Sequence, residues 1–414
     1  MKIYFKTVGC RVNQVETQSL AEKFSALGHE AASGMEEADI VVVNSCSVTE
    51  YADRDTFNFI KKTAASNPGA RLVVTGCIAT LNPKKILELA PGAAIFSNSD
   101  KEKIPYQLAG LPSKEDFFSV SKSSGRTRAF IKLQDGCSLK CAYCLVPQAR
   151  SEIKSKGSAE AMAEIKNLVA GGFREIVLCG TRLGMYKCAA TGLGLAGLMK
   201  EIFKLDGDFR IRFSSLEPME VSDGLAETLA AGGDRFCDYF HLPLQSGSDG
   251  VLKAMGRPYD TAFYFEKLSL LRKHFKDPGL FADVIAGYPG ETEAQFEETA
   301  AFVRKCGLAG LHVFRFSKRP GTPAYALKAL YPAVVKERSA RLRELDKELR
   351  AAYAASMCGR TLKTLALKNK DGFTICLASN FLNVAFKGEL RNGDFMNARI
   401  TGALAGSCTG EAAG

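Results

Sequence analysis

Short apolar runs alternate with helical stretches through the first hundred residues of the chain. The runs cover residues 2–5, 40–43 and 72–74, and helix-like stretches such as 16–27 separate them. β-Branched strands that alternate with helices form a parallel sheet that is covered on both faces. The pattern therefore predicts an α/β domain with a doubly wound parallel sheet over residues 1–110.

A cysteine follows each of these three strands, namely Cys10, Cys46 and Cys77. Ligands of doubly wound sheets bind outside the carboxyl ends of the strands. Three thiols that reach one crevice from separate strands have the arrangement of a cofactor site, whereas cysteines of a packed core would fall within strands. We therefore predict that these thiols meet at one edge of the sheet.

The middle of the chain follows a turn-rich linker at about 109–127 and alternates strands and helices at longer spacing. Strands are predicted near 129–133, 175–178, 210–213, 239–242, 281–285 and 311–316, and helices near 158–170, 195–203, 223–231, 261–274 and 293–306. Six parallel strands with right-handed crossovers make a partial barrel, short of the eight that close a full one. We expect this partial (β/α)6 barrel to occupy residues 123–355.

The last part of the chain begins with a strongly charged helix at 332–355, which we interpret as solvated. Beyond it, turns separate short strands near 361–367, 373–377, 383–386 and 395–400. This pattern predicts a small antiparallel β-barrel over residues 356–414. Basic residues outnumber acidic ones there, and a modestly basic small barrel suits binding to an RNA backbone.

Composition narrows the class of protein. Hydrophobic residues make up 46% of the 414 residues and charged ones 24%, which excludes disordered and collagen-like chains. No apolar run approaches the roughly 18 residues of a membrane span, and the start lacks a secretory signal, so we expect a cytoplasmic protein without a membrane partner. In that reducing compartment, 13 cysteines favour metal binding or catalysis over disulfides. The net charge of +10 favours an anionic partner such as nucleic acid.

The sharpest local motif places Cys137, Cys141 and Cys144 on one short loop after the first barrel strand. Structural zinc would require a fourth thiolate or histidine nearby, and none follows within reach in a chain with four histidines. Three thiolates instead leave one iron of a [4Fe–4S] cluster open to an external ligand. The loop position puts such a cluster at the top of the barrel, where barrel active sites lie.

This loop resembles that of radical S-adenosylmethionine (SAM) enzymes, in which the open iron chelates SAM and an electron cleaves it to a 5′-deoxyadenosyl radical. With Cys10, Cys46 and Cys77 included, essentially the whole chain resembles the methylthiotransferases. The resemblance implies two [4Fe–4S] clusters, one on each set of three cysteines. The cluster on the barrel loop would bind SAM, and the auxiliary cluster would hold sulfur. It further implies that the C-terminal barrel is a TRAM domain.

The barrel segments 144–150, 175–180, 214–218, 241–247 and 283–292 resemble the segments that surround SAM in this family. The resemblance implies that the cofactor is bound by Tyr143, Gly180, Ser214, Glu217, Gln245, Ile285 and Gly287. Glycine at a strand end lets backbone groups approach a nucleotide, and Glu or Ser there can bond ribose hydroxyls. No side chain is assigned the chemical step, because the cofactors carry it.

Segments 9–14 and 311–323 resemble the MtaB-type subgroup, which methylthiolates C2 of N6-threonylcarbamoyladenosine at position 37 of tRNA. This implies a tRNA anticodon stem-loop as partner and an electron donor such as a flavodoxin or ferredoxin. Methylthiotransferases of isopentenyladenosine-tRNA or of a ribosomal protein are the alternatives among enzymes. A non-catalytic iron–sulfur RNA-binding protein is the alternative from another class, although a carrier cluster would require four cysteines.

Several positions depart from the family pattern. They are Ser45, Ser151, Lys156, Cys179 and the segment 186–188, which lacks the usual glycine. None removes a proposed cluster ligand, so they put in question only the local backbone around the SAM pocket. The cysteines outside the two triads are expected to be packed or exposed thiols, except that Cys179 lies close enough to the expected cofactor site for a role there to remain an alternative. His241 is expected to be a structural hydrogen-bonding residue.

Overall fold

The computed structural model of the chain describes residues 1–112, 117–121 and 127–413. Residues 113–116 and 122–126 of the proposed linker at 109–127 therefore lie outside the described residues. The first unit consists of strands β1 (Lys2–Thr7), β2 (Glu30–Ala31), β3 (Ile40–Ser45), β4 (Arg71–Gly76) and β5 (Ala94–Ile95), with helices α1 (Arg11–Ala26), α2 (Glu50–Ser66), α3 (Cys77–Leu81), α4 (Pro83–Leu89) and α5 (Ile104–Leu108). Its five strands are all parallel, in the order β2-β1-β3-β4-β5.

Alternation along β3 explains why helices cover both faces of this sheet. Val42 packs with Leu20 and Phe24 of α1 on one face, whereas Val41 and Val43 pack against α2 and α4 on the other. Successive strand side chains point to opposite faces, so a continuous apolar run requires two covering layers. The predicted doubly wound sheet is confirmed.

The middle of the chain folds into two sheets of a partial barrel. Its strands are β6 (Arg128–Asp135), β7 (Lys154–Ser155), β8 (Glu175–Gly180), β9 (Arg210–Phe213), β10 (Tyr239–His241), β11 (Gly279–Ala286) and β12 (Gly310–Arg315). Six of them run parallel, in the orders β6-β8-β9 and β10-β11-β12, and β7 adds an antiparallel edge. The helices are α6 (Val146–Ala149), α7 (Ser158–Ala170), α8 (Leu195–Phe203), α9 (Asp223–Ala231), α10 (Asp249–Ala254), α11 (Thr261–His274) and α12 (Glu293–Cys306).

The charged helix α13 (Pro332–Ser356) is not wholly solvated as predicted. Leu342, Leu345 and Leu349 pack against the core of the partial barrel. Arg338 is buried, and its guanidinium donates to the carboxylate of Glu291 at 2.8 Å. The prediction was wrong on this face because paired cations cannot be told from solvated ones along a sequence.

The C-terminal barrel is closed by five strands, in the order β13-β14-β15-β17-β16. The strands are β13 (Thr361–Lys370), β14 (Phe373–Ala378), β15 (Asn383–Lys387), β16 (Phe395–Leu404) and β17 (Ser407–Ala412). The sequence pattern missed the last strand, because its small and polar residues carry little strand propensity. Neighbouring strands are antiparallel except for β15 and β17, which run parallel.

Buried arginines attach this small barrel to the partial barrel. Glu175 accepts hydrogen bonds from Arg210 and Arg212, and none of the three side chains is more than 2% exposed. Arg210 also donates to the carbonyl of Leu377 at 2.8 Å, and Arg212 to that of Ser379 at 2.8 Å. The guanidinium groups thus satisfy carbonyls of the C-terminal barrel and neutralise one buried carboxylate, which fixes the two units together.

Candidate active site with two cysteine triads

The first cysteine triad lies at the carboxyl edge of the N-terminal sheet. Cys10 precedes α1, Cys46 follows β3 and Cys77 opens α3 after β4, and β1, β3 and β4 are adjacent strands. Burial, followed by the nearby Cys77 and Cys10 thiols, raises the pKa of Cys46 to about 12. Burial also raises the pKa of Cys10. A metal that binds here therefore has to displace protons from the thiols.

Two glycines make room for the first triad. Gly9 has φ +122°, and a Cβ placed on it would lie 2.4 Å from Cβ of Cys46. Gly76 has φ +95°, and a Cβ there would lie 2.2 Å from the carbonyl oxygen of Ser45. Both positions thus exclude other residues by backbone conformation and by contact, so the chain is built to bring the three cysteines together.

The second triad occupies the loop between β6 and α6. Burial, and then Cys141 and Cys137, raise the pKa of Cys144 to about 12, although the backbone amide of Val146 donates to its sulfur at 3.4 Å. Burial likewise raises the pKa of Cys137. The guanidinium of Arg257 donates to Cys141 Sγ at 3.2 Å, which places a positive charge beside this triad.

Sulfur spacing separates the two kinds of metal site considered from the sequence. Among the described residues, His241, Asp283 and His312 form the one His, Cys, Asp or Glu group compact enough to share a single ion, with ligand atoms within 4.8 Å of one another. Neither cysteine triad is that compact. Thiolates around one tetrahedral zinc would lie about 4 Å apart at Zn–S distances near 2.3 Å, so in each triad at least two sulfurs lie farther apart than one zinc would hold them.

One cavity is lined by residues from both triads. Cys77 of the first triad and Cys144 of the second both line it, together with the ring of Tyr143. The remaining lining residues are Ser47, Val48, Leu81, Leu145, Val146 and Ala149. The cavity therefore offers a mostly apolar space that one cysteine of each triad borders.

Two buried arginines fix the N-terminal unit against the partial barrel around this cavity. Arg150 donates to Glu16 at 2.8 Å and to Asp135 at 2.7 Å. On the other side, Arg319 donates to Ser47 Oγ at 2.6 Å and to the carboxylate of Asp53. Both guanidinium groups are at most 5% exposed, so the separation of the triads is held by bonds that solvent barely reaches.

The expected SAM-binding residues all lie at or beyond the carboxyl ends of the barrel strands. Tyr143 and Ile285 belong to one apolar cluster beside the second triad. Gln245 has φ 72°, a strained value for a residue other than glycine, and strain of this kind is concentrated at functional sites. Its backbone is held by Asp283 O at 2.8 Å and by the amide of Ile285 at 2.9 Å.

The other four residues surround the same end of the barrel but do not form one contact group. Glu217 binds the guanidinium of Arg257, and the amide of Gly287 donates to Glu291 at 3.2 Å. Gly180 lies against Gln134 and Leu183. The hydroxyl of Ser214 is buried beside the Cys179 thiol without a hydrogen-bond partner of normal geometry among the described residues.

Sequence reasoning missed Arg257, which links Cys141 to Glu217. Its signal was the preceding Gly256, whose conformation (φ +69°) lets the backbone approach the carbonyl of Lys140. Burial would lower the pKa of the guanidinium, but Tyr259, Glu217 and neighbouring groups together raise it. Arg257 is therefore a fixed cation between the second triad and the expected cofactor site.

Two family models and several known proteins are similar to this chain. The family model described as "Uncharacterized protein family UPF0004" matches residues 2–97, and the Radical SAM superfamily model matches 131–303. The chain is 32% identical to threonylcarbamoyladenosine tRNA methylthiotransferase MtaB of Bacillus subtilis, over 93% of this chain and 90% of that protein. It is 34% identical to MtaB of Thermotoga maritima, over 88% and 86%.

The chain belongs to the radical SAM methylthiotransferase family, among relatives of MtaB type.

A second group of relatives carries another substrate in its name. The tRNA-2-methylthio-N(6)-dimethylallyladenosine synthase of Geobacillus kaustophilus is 34% identical, over 99% of this chain and 82% of that protein. Overall identity therefore establishes a methylthiotransferase, and so a transferase, without separating the two substrate groups.

Solved structures support the fold alone. The radical SAM methyltransferase TsrM from Kitasatospora setae aligns with a TM-score of 0.57 at 14% identity, over 78% of this chain and 77% of that chain. The cobalamin-dependent enzyme OxsB aligns with a TM-score of 0.54 at 12% identity, over 84% and 56%. Membership of the radical SAM superfamily implies that this methylthiotransferase uses SAM and a [4Fe–4S] cluster.

Most departures of this methylthiotransferase from the family pattern are accommodated by local contacts. Ser45 Oγ donates to Thr75 O at 2.5 Å and accepts from the amide of Ile78, as a threonine hydroxyl would. Lys156 is buried against Glu164 and Phe118 O, away from both triads. Ser151 lines a separate cavity beside Arg150. Cys179 is buried, and burial raises its pKa to about 12.

The other histidine and cysteine side chains have structural surroundings. His241 shares hydrogen bonds with Ser215 at 2.7 Å and Asp283 at 2.8 Å, and its structural role stays a prediction. All thirteen cysteines are free thiols, and of those outside the triads only Cys358 is exposed. No helix within the described residues is long and apolar enough to cross a membrane.

Proposed function

We propose that this methylthiotransferase replaces the hydrogen at C2 of N6-threonylcarbamoyladenosine in tRNA, next to the anticodon, with a methylthio group. The observation that carries the proposal is the cavity lined by Cys77 and Cys144, because it brings one cysteine of each triad to the same space. MtaB relatives over most of the chain supply the substrate class. C2 of adenine carries an unactivated hydrogen that an ordinary side-chain base does not remove, so cofactor chemistry is required.

We propose that each triad binds a [4Fe–4S] cluster with one open iron. Cys137, Cys141 and Cys144 would hold the cluster that binds SAM, and Cys10, Cys46 and Cys77 the auxiliary cluster that holds sulfur. When bound, these groups and two molecules of SAM supply the methyl group, the sulfur and the radical that takes hydrogen from C2. The protein would contribute three thiolates at each site, a mostly apolar cavity beside them and a fixed distance between the two triads.

The residues around the second triad would orient SAM rather than react. In this proposal Tyr143 and Ile285 face the adenine, Glu217 and Ser214 bond ribose hydroxyls, and the backbones of Gly180, Gln245 and Gly287 approach the nucleoside. Arg257 would hold Glu217 in place through their ion pair. The strained backbone of Gln245 supports this assignment, since only a well-packed site maintains such a conformation.

Three exposed tyrosines have the chemistry of an RNA-binding surface. Tyr51 and Tyr331 are 70% and 78% exposed, and Tyr325 is 47% exposed. Arg54 lies 5.5 Å from the ring of Tyr51 and Lys318 lies 5.5 Å from the ring of Tyr325. Exposed aromatic rings beside cations stack unpaired bases and attract phosphates, which supports an anticodon stem-loop as partner.

In this proposal the chain divides its work among three units. Residues 1–110 would carry the auxiliary cluster, 123–355 the radical SAM core and 356–414 a TRAM-type barrel that holds the tRNA backbone. A small electron carrier such as a flavodoxin or ferredoxin would reduce the SAM-binding cluster. The buried arginine contacts with the C-terminal barrel support a fixed position for the RNA relative to the cavity.

Nucleosides from total tRNA of the source cells, with and without the gene, test the proposed function. We expect 2-methylthio-threonylcarbamoyladenosine to vanish without the gene and the unmethylthiolated nucleoside to accumulate. Loss of the methylthio group from dimethylallyladenosine instead would favour the second group of relatives. Unchanged tRNA together with a mass change in a ribosomal protein would contradict both tRNA substrates.

Iron content tests the ligand assignment separately. Replacing Cys46 or Cys141 by alanine should each remove about half of the iron and labile sulfide of the reconstituted protein, because each site would lose one of three ligands. Cys358→Ala is the matched control, since Cys358 is an exposed thiol outside both triads. Full iron in Cys46→Ala would remove Cys46 from the ligand set.

A further inference from the structure

Arg11 is a cation beside the first strand of the partial barrel, and it pairs with no carboxylate among the described residues. It opens α1 directly after Cys10, and its side chain lies over the ring of Phe130, with Cζ 4.9 Å from the ring centroid. Its one side-chain hydrogen bond within the described residues goes to the neutral amide oxygen of Gln14, at 3.2 Å. Arg11 is also exposed, so its remaining donors are accessible to a ligand.

Arg128, the other cation beside Phe130, differs from Arg11 because it has a carboxylate partner. Arg128 lies 5.8 Å from the same ring, but it is paired with the buried carboxylate of Glu175 at 3.3 Å. Asp283, a second acid in the partial barrel, is bonded by His241 and His312. These acids are thus bonded by other side chains, and the guanidinium of Arg11 has no carboxylate partner among the described residues.

The surroundings of Arg11 belong to the inside of the partial barrel. Its charge acts on Cys179 of β8 and on Tyr239 of β10, where it opposes the rise in pKa that burial causes. A ligand that enters from the side of the first triad would therefore meet an available guanidinium. A cation of this kind suits a negatively charged substituent better than an aliphatic one.

The two substrates named for the relatives differ in that chemical respect. A threonylcarbamoyl group on N6 of adenosine ends in a carboxylate, whereas a dimethylallyl group is an uncharged hydrocarbon. An arginine and a carboxylate form two parallel charge-assisted hydrogen bonds. A dimethylallyl group cannot form these bonds, so an arginine that binds the carboxylate favours the threonylcarbamoyl substrate.

We propose that Arg11 binds the carboxylate of the threonylcarbamoyl group and thereby selects the substrate of this methylthiotransferase. The proposal rests on the function proposed above and goes further, because it names the group that separates the two substrate classes. Arg11 follows Cys10, so the carboxylate would be held one residue from a ligand of the proposed auxiliary cluster. The substituted side of the adenine would then be fixed while C2 faces the cavity.

Binding of three anticodon stem-loop RNAs to the reconstituted full-length protein tests this proposal. The RNAs carry threonylcarbamoyladenosine, dimethylallyladenosine or plain adenosine at the target position, and fluorescence anisotropy gives each Kd. We expect Arg11→Gln to weaken binding of the threonylcarbamoyl RNA by about 10- to 100-fold, the range of a hydrogen bond to a charged group. The other two RNAs should bind within about twofold of wild type, and Arg11→Lys should give an intermediate loss for the first RNA only.

Control variants and RNAs separate binding of the carboxylate from binding of a phosphate and from a packing role. Arg71→Gln removes an exposed cation at the amino end of β4 and should leave all three affinities unchanged. An equal loss for all three RNAs in Arg11→Gln would assign Arg11 to a backbone phosphate and overturn the proposal. No loss for any of them would leave Arg11 as a packing partner of Phe130. Loss of iron from Arg11→Gln would assign the residue to the cluster site instead.

Failure of this proposal is distinguishable from failure of the proposed function. If wild-type protein binds the threonylcarbamoyl RNA no better than the plain RNA and forms no methylthio product from it, the function itself is wrong. If wild-type protein forms the product and Arg11→Gln retains the affinity and the preference, the function stands and the role of Arg11 is refuted.

Discussion

Replacing Glu16 by glutamine removes one buried negative charge from the contact between the N-terminal unit and the barrel. Glu16 is 1% exposed and accepts from three cations, Lys101 at 2.5 Å, Lys132 at 2.7 Å and Arg150 at 2.8 Å. Burial would raise the pKa of this carboxyl, but Arg150, Lys101 and Lys132 together hold it well below its usual range. It is therefore ionised in the native protein, and glutamine changes its charge with little change in shape.

The cost follows from the charges that are left behind. Without Glu16, the three cations face Asp135 as the one remaining carboxylate of this cluster within the described residues, which leaves an excess of two buried positive charges. Breaking a buried ion pair by removing one partner costs about 3–5 kcal/mol. At about 4 °C per kcal/mol for a unit of this size, the Tm of the N-terminal unit should fall by about 10–20 °C.

Thermal unfolding of the full-length protein, with limited proteolysis of residues 1–112 across the transition, measures this loss. Glu88→Gln is the matched control, because Glu88 pairs with Lys85 at 2.7 Å on an exposed surface where such pairs contribute about 0–1 kcal/mol. Equal melting of Glu16→Gln and Glu88→Gln would refute the reasoning. It would mean that the buried cations release protons or reach water once Glu16 is neutral.

Three further predictions follow from other contacts. Arg257→Met should lower the rate of SAM cleavage to 5′-deoxyadenosine by about 10- to 100-fold at unchanged iron content, since the substitution removes charged hydrogen bonds to Cys141 and Glu217. Chromatography of 5′-deoxyadenosine measures this rate, and a wild-type rate would contradict the prediction. Burial would raise the pKa of Glu175, but Arg212 and Arg210 hold this pKa far below 4.5. The ion pairs of the ionised Glu175 therefore stabilise the fold above about pH 4.5, and this contribution is lost as the pH falls further. Hydrogen exchange of residues 361–413 from pH 7 to 4 should show the C-terminal barrel loosening in acid, and Glu175→Gln should be loosened already at pH 7 and change less with pH. Tyr331→Ala should weaken anticodon stem-loop binding by about 5- to 150-fold, the range for loss of one base stack. Tyr331→Phe should leave this binding unchanged because it keeps the ring. Equal effects of the two substitutions would argue against stacking.

Features that depend on local pattern were predictable from the sequence. Continuous apolar runs such as β3 and the 3.6-residue period of long helices such as α11 and α12 predict elements that the fold contains. Because parallel strands share one carboxyl edge, the positions of Cys10, Cys46 and Cys77 after their strands also placed the three thiols together. Short elements such as α3 and α6 contain too few residues for a periodic signal and were missed.

Features that depend on pairing across the fold were not predictable. Arg150, Arg257 and Arg319 look like ordinary surface cations in the sequence, and their buried roles come from acids and thiols that lie far away along the chain. Arg338 misled the interpretation of α13 for the same reason. Each cation finds its partner only after the strands and loops have been brought together, so the sequence pattern around it carries no sign of the contact.

Reconstituted protein incubated with SAM, a chemical reductant and tRNA carrying threonylcarbamoyladenosine tests the central claim most directly. Mass spectrometry of the digested tRNA should show 2-methylthio-threonylcarbamoyladenosine with the wild-type chain and with Cys358→Ala, and none with Cys46→Ala or Cys141→Ala. Cleavage of SAM without any change in the nucleoside, or methylthiolation of dimethylallyladenosine in its place, would contradict the claim.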